Sequence, residues 1–187
     1  YVAWLKLGEA RRQAGEIAGA LRAYQEAIDI APEVRAGHAA FLSALAQRDE
    51  RRYGLSPSRA TSIGQRFLVR MEQSIPLREL AGELAGDGYR DAVTYVLARA
   101  LDLEPIPDDR LERAAAVQLA QGNEWLARFY IGRLAREPVI PEVLAYVLRE
   151  RARHAEERGE QPERGEQPED GVQPEPGAAP DEPPTLP

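Results

Sequence analysis

At 187 residues the chain is long enough for one domain with a buried core. Ala, Leu, Arg and Glu dominate and β-branched residues are sparse, which favours an all-α class. There is no cysteine, so disulfides and thiolate metal sites are excluded, and no apolar run approaches membrane-spanning length. The net charge of −7 is unevenly spread: residues 1–158 hold 23 basic and 23 acidic side chains, whereas residues 159–187 hold eight acids and one base, Arg164. A neutral body offers no electrostatic case for nucleic acid or an anionic membrane.

The first 34 residues carry Trp4, Leu7, Gly8, Gly15, Ala20, Tyr24, Ala27 and Pro32 at fixed spacing. Small residues allow two helices to approach closely, and large ones fill the volume beside them. Gly8 and Ala20 supply the close approach, Trp4, Leu7 and Tyr24 the bulk, and Ala27 leaves room for the next element. Gly15 suits a left-handed helix end, after which Glu16 to Ile30 fits a second helix that Pro32 discourages from continuing. This set resembles the tetratricopeptide repeat, with only the aromatic expected at Arg11 missing. The resemblance implies a right-handed α-solenoid of antiparallel hairpins that binds other proteins.

The pattern continues in weaker form. Glu33 to Arg51 reads as one helix, with Ala36, Ala39, Ala40, Leu42 and Leu45 among its apolar positions. Tyr53-Gly54-Leu55 makes a turn, Ser56-Pro57 resembles a cap with proline in the first helical position, and a helix follows to about Gln73. This second unit, residues 35–73, is an enlarged hairpin that departs most from the family pattern. Gly8, Gly15, Ala27 and Pro32 recur 73 residues later as Ala81, Gly88, Ala100 and Pro105, with Leu77, Leu80, Leu84 and Leu97 in the large positions of residues 74–107. A further 34 residues along, Ala115, Gly122, Ala127 and Ile131 fit a fourth hairpin, residues 108–140, with Pro138 closing it one residue early.

Pro141 to Arg158 reads as a final helix whose Val143, Leu144, Val147 and Leu148 form an apolar stripe, suited to capping an open repeat face. The last segment, residues 159–187, repeats Arg-Gly-Glu-Gln-Pro-Glu and holds eight of the fifteen prolines. It cannot bury enough apolar surface to fold, so the expectation is a disordered acidic tail, either a solvated spacer or, through its PxxP spacings, a proline-rich ligand. The well-formed repeat at Tyr1 leads to the expectation that further repeats precede it. The arginine-rich, almost lysine-free composition suggests a bacterium with a GC-rich genome. It leaves both cytoplasm and periplasm open.

No catalytic signature stands out. The two histidines, His38 and His154, are far apart in sequence; one reads as a helix-face residue and the other as a partner of Glu150 or Glu157. No nucleophile elbow, phosphate loop or metal motif is present, so no enzyme and no cofactor is expected. Inside the body, Arg48, Arg51, Arg52, Arg59, Arg66 and Arg70 form a candidate basic patch. Such a patch can dock an acidic partner, but pairing with the acid-rich third hairpin is the ordinary reading. It lacks the interleaved aromatics that single-stranded nucleic acid needs.

The resemblance also implies a groove lined by the first helix of each hairpin. Carried onto this chain, it includes Leu5, Glu9, Arg12 and Gln13, then Arg78 and Gly82, then Glu112 and Ala116. Some family members grip a C-terminal carboxylate with Lys and Asn; here Leu5 and Glu9 stand there, which argues against that type of receptor. The expected role is therefore a scaffold or adaptor binding a peptide or helix of another protein. The alternative is a regulatory or assembly domain of a larger enzyme or of an envelope or secretion complex.

Overall fold

The computed structural model describes residues 1–55 and 59–158, and among these it is entirely helical. Its helices are α1 (Val2–Gln13), α2 (Ile17–Ile30), α3 (Arg35–Tyr53), α4 (Ala60–Arg70), α5 (Ser74–Gly86), α6 (Arg90–Leu103), α7 (Asp108–Ala120), α8 (Glu124–Ile131) and α9 (Pro141–Glu157). The all-α expectation holds. The described residues divide into two units, Tyr1–Val147 and the residues from Leu148 onward.

In the first unit, successive helices pair: α1 with α2, α3 with α4, α5 with α6, and α7 with α8. Between pairs, α2 packs on α3, α4 on α5, α3 on α6 and α6 on α8. The turns inside three of these pairs are alike. Gly15, Gly88 and Gly122 have φ of 82°, 87° and 75°, the left-handed region that glycine enters without a Cβ clash. The following amides close the same six-residue loop: Glu16 N–H to Arg11 O at 2.8 Å, Tyr89 N–H to Leu84 O at 2.9 Å, and Asn123 N–H to Gln118 O at 2.8 Å. Each glycine N–H also bonds the carbonyl three residues back, so all three helices end in a Schellman motif.

Close packing follows the small residues. A Cβ on Gly8 would lie 2.5 Å from a ring carbon of Tyr24, whose side chain is buried. Ala20, Ala27, Ala81, Ala100, Ala115 and Ala127 are likewise buried between helices. Leu42, Ile63 and Phe67 fill the second pair, and Leu77, Leu80, Leu84, Val93 and Val96 the third. Trp4 and Leu7 depart from the expected core role, each remaining 37 % exposed. Tyr24, by contrast, lies against Gly8, on the side of α1 that packs on α2.

The enlarged second hairpin differs in its bounds. α3 runs two residues past Arg51, and α4 stops at Arg70 rather than near Gln73. Gly54, at φ 68°, ends α3, with Leu55 N–H bonded to Glu50 O at 2.9 Å. The expected Ser56-Pro57 cap lies outside the described residues, as does the tail from residue 159. At the start of α9, Val143 and Tyr146 are buried in the first unit. The described residues of the second unit are the charged end of that helix, where Arg153 pairs with Glu150 at 2.7 Å and His154 with Glu157 at 3.2 Å.

Candidate functional site

Glu9 organises a cluster of polar side chains on the first hairpin. Its carboxylate accepts hydrogen bonds from Arg12 at 2.8 and 3.0 Å, from Gln13 at 2.9 Å and from the Tyr24 hydroxyl at 3.0 Å. The bond from Arg12 outweighs partial burial and holds the Glu9 carboxyl down at about 2. Burial first, and then Glu9 itself, pushes the Tyr24 hydroxyl up to about 12. Glu9 and Arg12 line a cleft of about 220 Å³ together with Ala36, Ala40 and Ser43 of α3 and Gln65 of α4. Leu5 packs partly buried against the core beside Gly37, and Gln13 is exposed.

A second and more apolar space opens between the third and fourth hairpins. It measures about 280 Å³ and is lined by Arg78 and Gly82 of α5, Leu97 and Leu101 of α6, Ala114 of α7 and Tyr130 of α8. Arg78 is the sole charged residue in this lining, and it donates to the Glu104 carboxylate at 3.2 Å. A Cβ on Gly82 would meet nothing within 4 Å, so the backbone of α5 borders open space there.

Glu112 requires a correction. Expected on an open groove, it is 1 % exposed. Its carboxylate accepts the amides of Val139 and Ile140 just before α9, and Arg136 at 2.9 Å. Burial alone raises its pKa, but these donors outweigh that and hold it below the ordinary range. Glu112 is thus a strut between α7 and the start of α9, while Ala116 is half-buried.

Three of the six arginines of the candidate basic patch are in ion pairs. Arg48 pairs with Asp91 at 2.9 Å, Arg59 with Asp87 at 3.5 Å and Arg66 with Glu83, all acids of residues 74–107. Arg51 donates to the Gly15 carbonyl at 2.9 Å, and Arg52 lies over the Tyr53 ring at 5.4 Å. Arg70 is half-buried near the end of α4.

Two residues that sequence reasoning passed over are central to the packing. Asp49 and Glu50 sit in a charged run of α3 that looks like solvated surface, yet they are 0 % and 7 % exposed. Asp49 accepts Asp91 N–H at 3.1 Å and Ala92 N–H at 2.9 Å, capping α6 from another helix because its own N-cap, Tyr89, makes no side-chain cap bond. Burial pushes the Asp49 carboxyl up to about 7, against those two amides and with Asp91 adding to the rise. Glu50 accepts from the Tyr89 hydroxyl and from Arg59 N–H, each at 3.3 Å. The available signal was positional: Arg48 and Asp49 precede an enlarged turn, and their partner is more than 40 residues away.

His38 bridges α3 to α6. Its Nε2 faces the Pro32 carbonyl at 2.8 Å, which can only accept, so Nε2 carries the hydrogen. Its Nδ1 meets the Tyr95 hydroxyl at 2.7 Å. Burial raises the Tyr95 pKa further above its ordinary value. Both ring nitrogens of His38 are engaged in holding helices together. No group of three metal-ligating side chains occurs among the described residues, and no helix among them is long and apolar enough to cross a membrane.

No family model matches the chain, and no curated protein or solved structure matches it either.

Proposed function

We propose that the chain is a tetratricopeptide-like α-solenoid acting as a scaffold, and that it binds a peptide or helix of another protein along the face carrying Arg12 and Arg78. The observation that carries this reading is the apolar space between the third and fourth hairpins. Its lining includes Arg78 and Gly82, the two residues that the resemblance assigns to the groove side of the third hairpin. A pocket lined by aliphatic side chains with one guanidinium takes an apolar side chain and orients it through a neighbouring carboxylate or carbonyl. The three matching Schellman turns support the repeat reading, since the same glycine phase produces the same helix end each time. A preformed groove of this kind costs little ordering entropy on binding.

The test is quantitative capture of partners from the source organism, using wild type, Arg78→Glu and Gly82→Leu. The leucine fills the pocket, and the glutamate reverses its one charge. Both variants are expected to remain folded, with cooperative urea unfolding, and to lose a shared partner by at least about tenfold, equivalent to about 1.4 kcal/mol. An unchanged set of captured proteins with both variants refutes the groove.

A further inference from the structure

We infer that a second site, separate from the groove, binds the carboxylate side chains of an acidic peptide. It is a surface cleft of about 540 Å³ where the end of α3 meets the starts of α6 and α8. Arg52, Tyr53, Arg90, Trp125 and Arg128 line it, along with Asp91 and Glu124.

Arg90 is the centre of the cleft. Its guanidinium lies 5.0 Å from the Tyr53 ring centroid and 5.8 Å from that of Trp125, so two rings from different helices fix its position. Arg52 lies over the same Tyr53 ring at 5.4 Å. A guanidinium held over ring faces keeps N–H donors in a fixed fork, and such a fork can grip a carboxylate through two parallel bonds. Among the described residues, neither Arg52 nor Arg90 has an acidic side chain within ion-pair distance, although two acids line the same cleft. Asp91 is engaged by Arg48 at 2.9 Å. Arg128 is held by the Tyr146 hydroxyl, to which its Nε donates at 2.6 Å.

Asp91 and Glu124 also decide between anions. They oppose a compact, doubly charged phosphate more than they oppose singly charged carboxylates spaced along a chain. The cleft is open to solvent, which suits an extended segment rather than an engulfed small molecule. Tyr53 and Trp125 offer apolar ring surface beside the charges for the peptide's stems.

The test titrates the full chain with N-acetylated, C-amidated hexaglutamate, with the corresponding hexaglutamine and with inorganic phosphate, following heat and Trp fluorescence. The expected result is binding of hexaglutamate alone, weakening as salt rises. Arg90→Lys is expected to lower that affinity at least about tenfold, because lysine keeps the charge but loses the planar fork. Arg52→Lys serves as the second variant, with a smaller loss of about threefold expected on the same physical ground. Equal binding of hexaglutamine overturns the proposal, as does unchanged affinity in both folded lysine variants. Phosphate displacing hexaglutamate assigns the cleft to phosphate and overturns it too, and so does the failure of every probe to bind. The cleft shares no lining residue with the groove, so either site can fail without the other.

Discussion

Asp49 provides the sharpest test of the packing. Its carboxylate is fully buried and bonds two amides at the start of α6, at 2.9 and 3.1 Å. Replacement by alanine leaves the Ala92 amide without a partner in a fully buried setting and the Asp91 amide half-buried. A buried donor left unpaired costs about 1–3 kcal/mol, and loss of an N-cap about 0.5–2 kcal/mol. These describe overlapping effects, and removing a buried carboxylate returns some desolvation energy, so the net expectation is about 2 kcal/mol. Asparagine retains one acceptor but turns an N–H₂ towards the other amide, and about 1 kcal/mol is expected.

The pH dependence separates burial from capping. Because burial raises the Asp49 carboxyl to about 7, the folded protein holds a proton there that the unfolded chain releases near the ordinary 3.8. Its stability contribution is therefore greatest below that ordinary value and declines as pH rises through about 7. Urea unfolding followed by circular dichroism, at pH 5 and pH 8, measures the difference between wild type and Asp49→Asn. That difference is expected to be larger at pH 5. A larger difference at pH 8 refutes the reasoning, because the two amides would then outweigh burial and favour the charged carboxylate.

Two helix glycines should respond to alanine with opposite signs. Gly82→Ala meets open space and gains up to about 1 kcal/mol of helix propensity, whereas a Cβ on Gly64 would lie 2.6 Å from the Ala39 carbonyl oxygen, so Gly64→Ala should lose about 1–2 kcal/mol after the same gain. Matched urea curves check both. Glu112→Ala removes the strut before α9 and should cost about 2–4 kcal/mol, with hydrogen exchange at Val139 and Ile140 rising more than at α2. Glu9 has the reverse pH behaviour to Asp49: the bond from Arg12 lowers its carboxyl to about 2, so its contribution is present above the ordinary 4.5 and fades as pH falls through about 2. Glu9→Gln should reduce the loss of stability on acidification between pH 5 and pH 2.

The local alphabet of the fold was legible because it depends on short-range sterics. Gly15, Gly88 and Gly122 mark helix ends since a left-handed residue excludes most side chains, and Ala20, Ala81 and Ala115 mark contact lines since little else fits between packed helices. Helix content and the pairing of neighbours followed from those positions. Side-chain partners depend instead on which distant segments meet. Only the tertiary structure placed Asp49 under the start of α6, turned Glu112 inward to hold the residues before α9, and distributed Arg48, Arg59 and Arg66 among acids of residues 74–107. It also set Arg90 between Tyr53 and Trp125, residues on three helices whose spacing carries no periodic signal. A glycine or alanine announces its constraint locally, whereas a charged side chain reads the same on a solvated face and in a buried clamp until its neighbours are known.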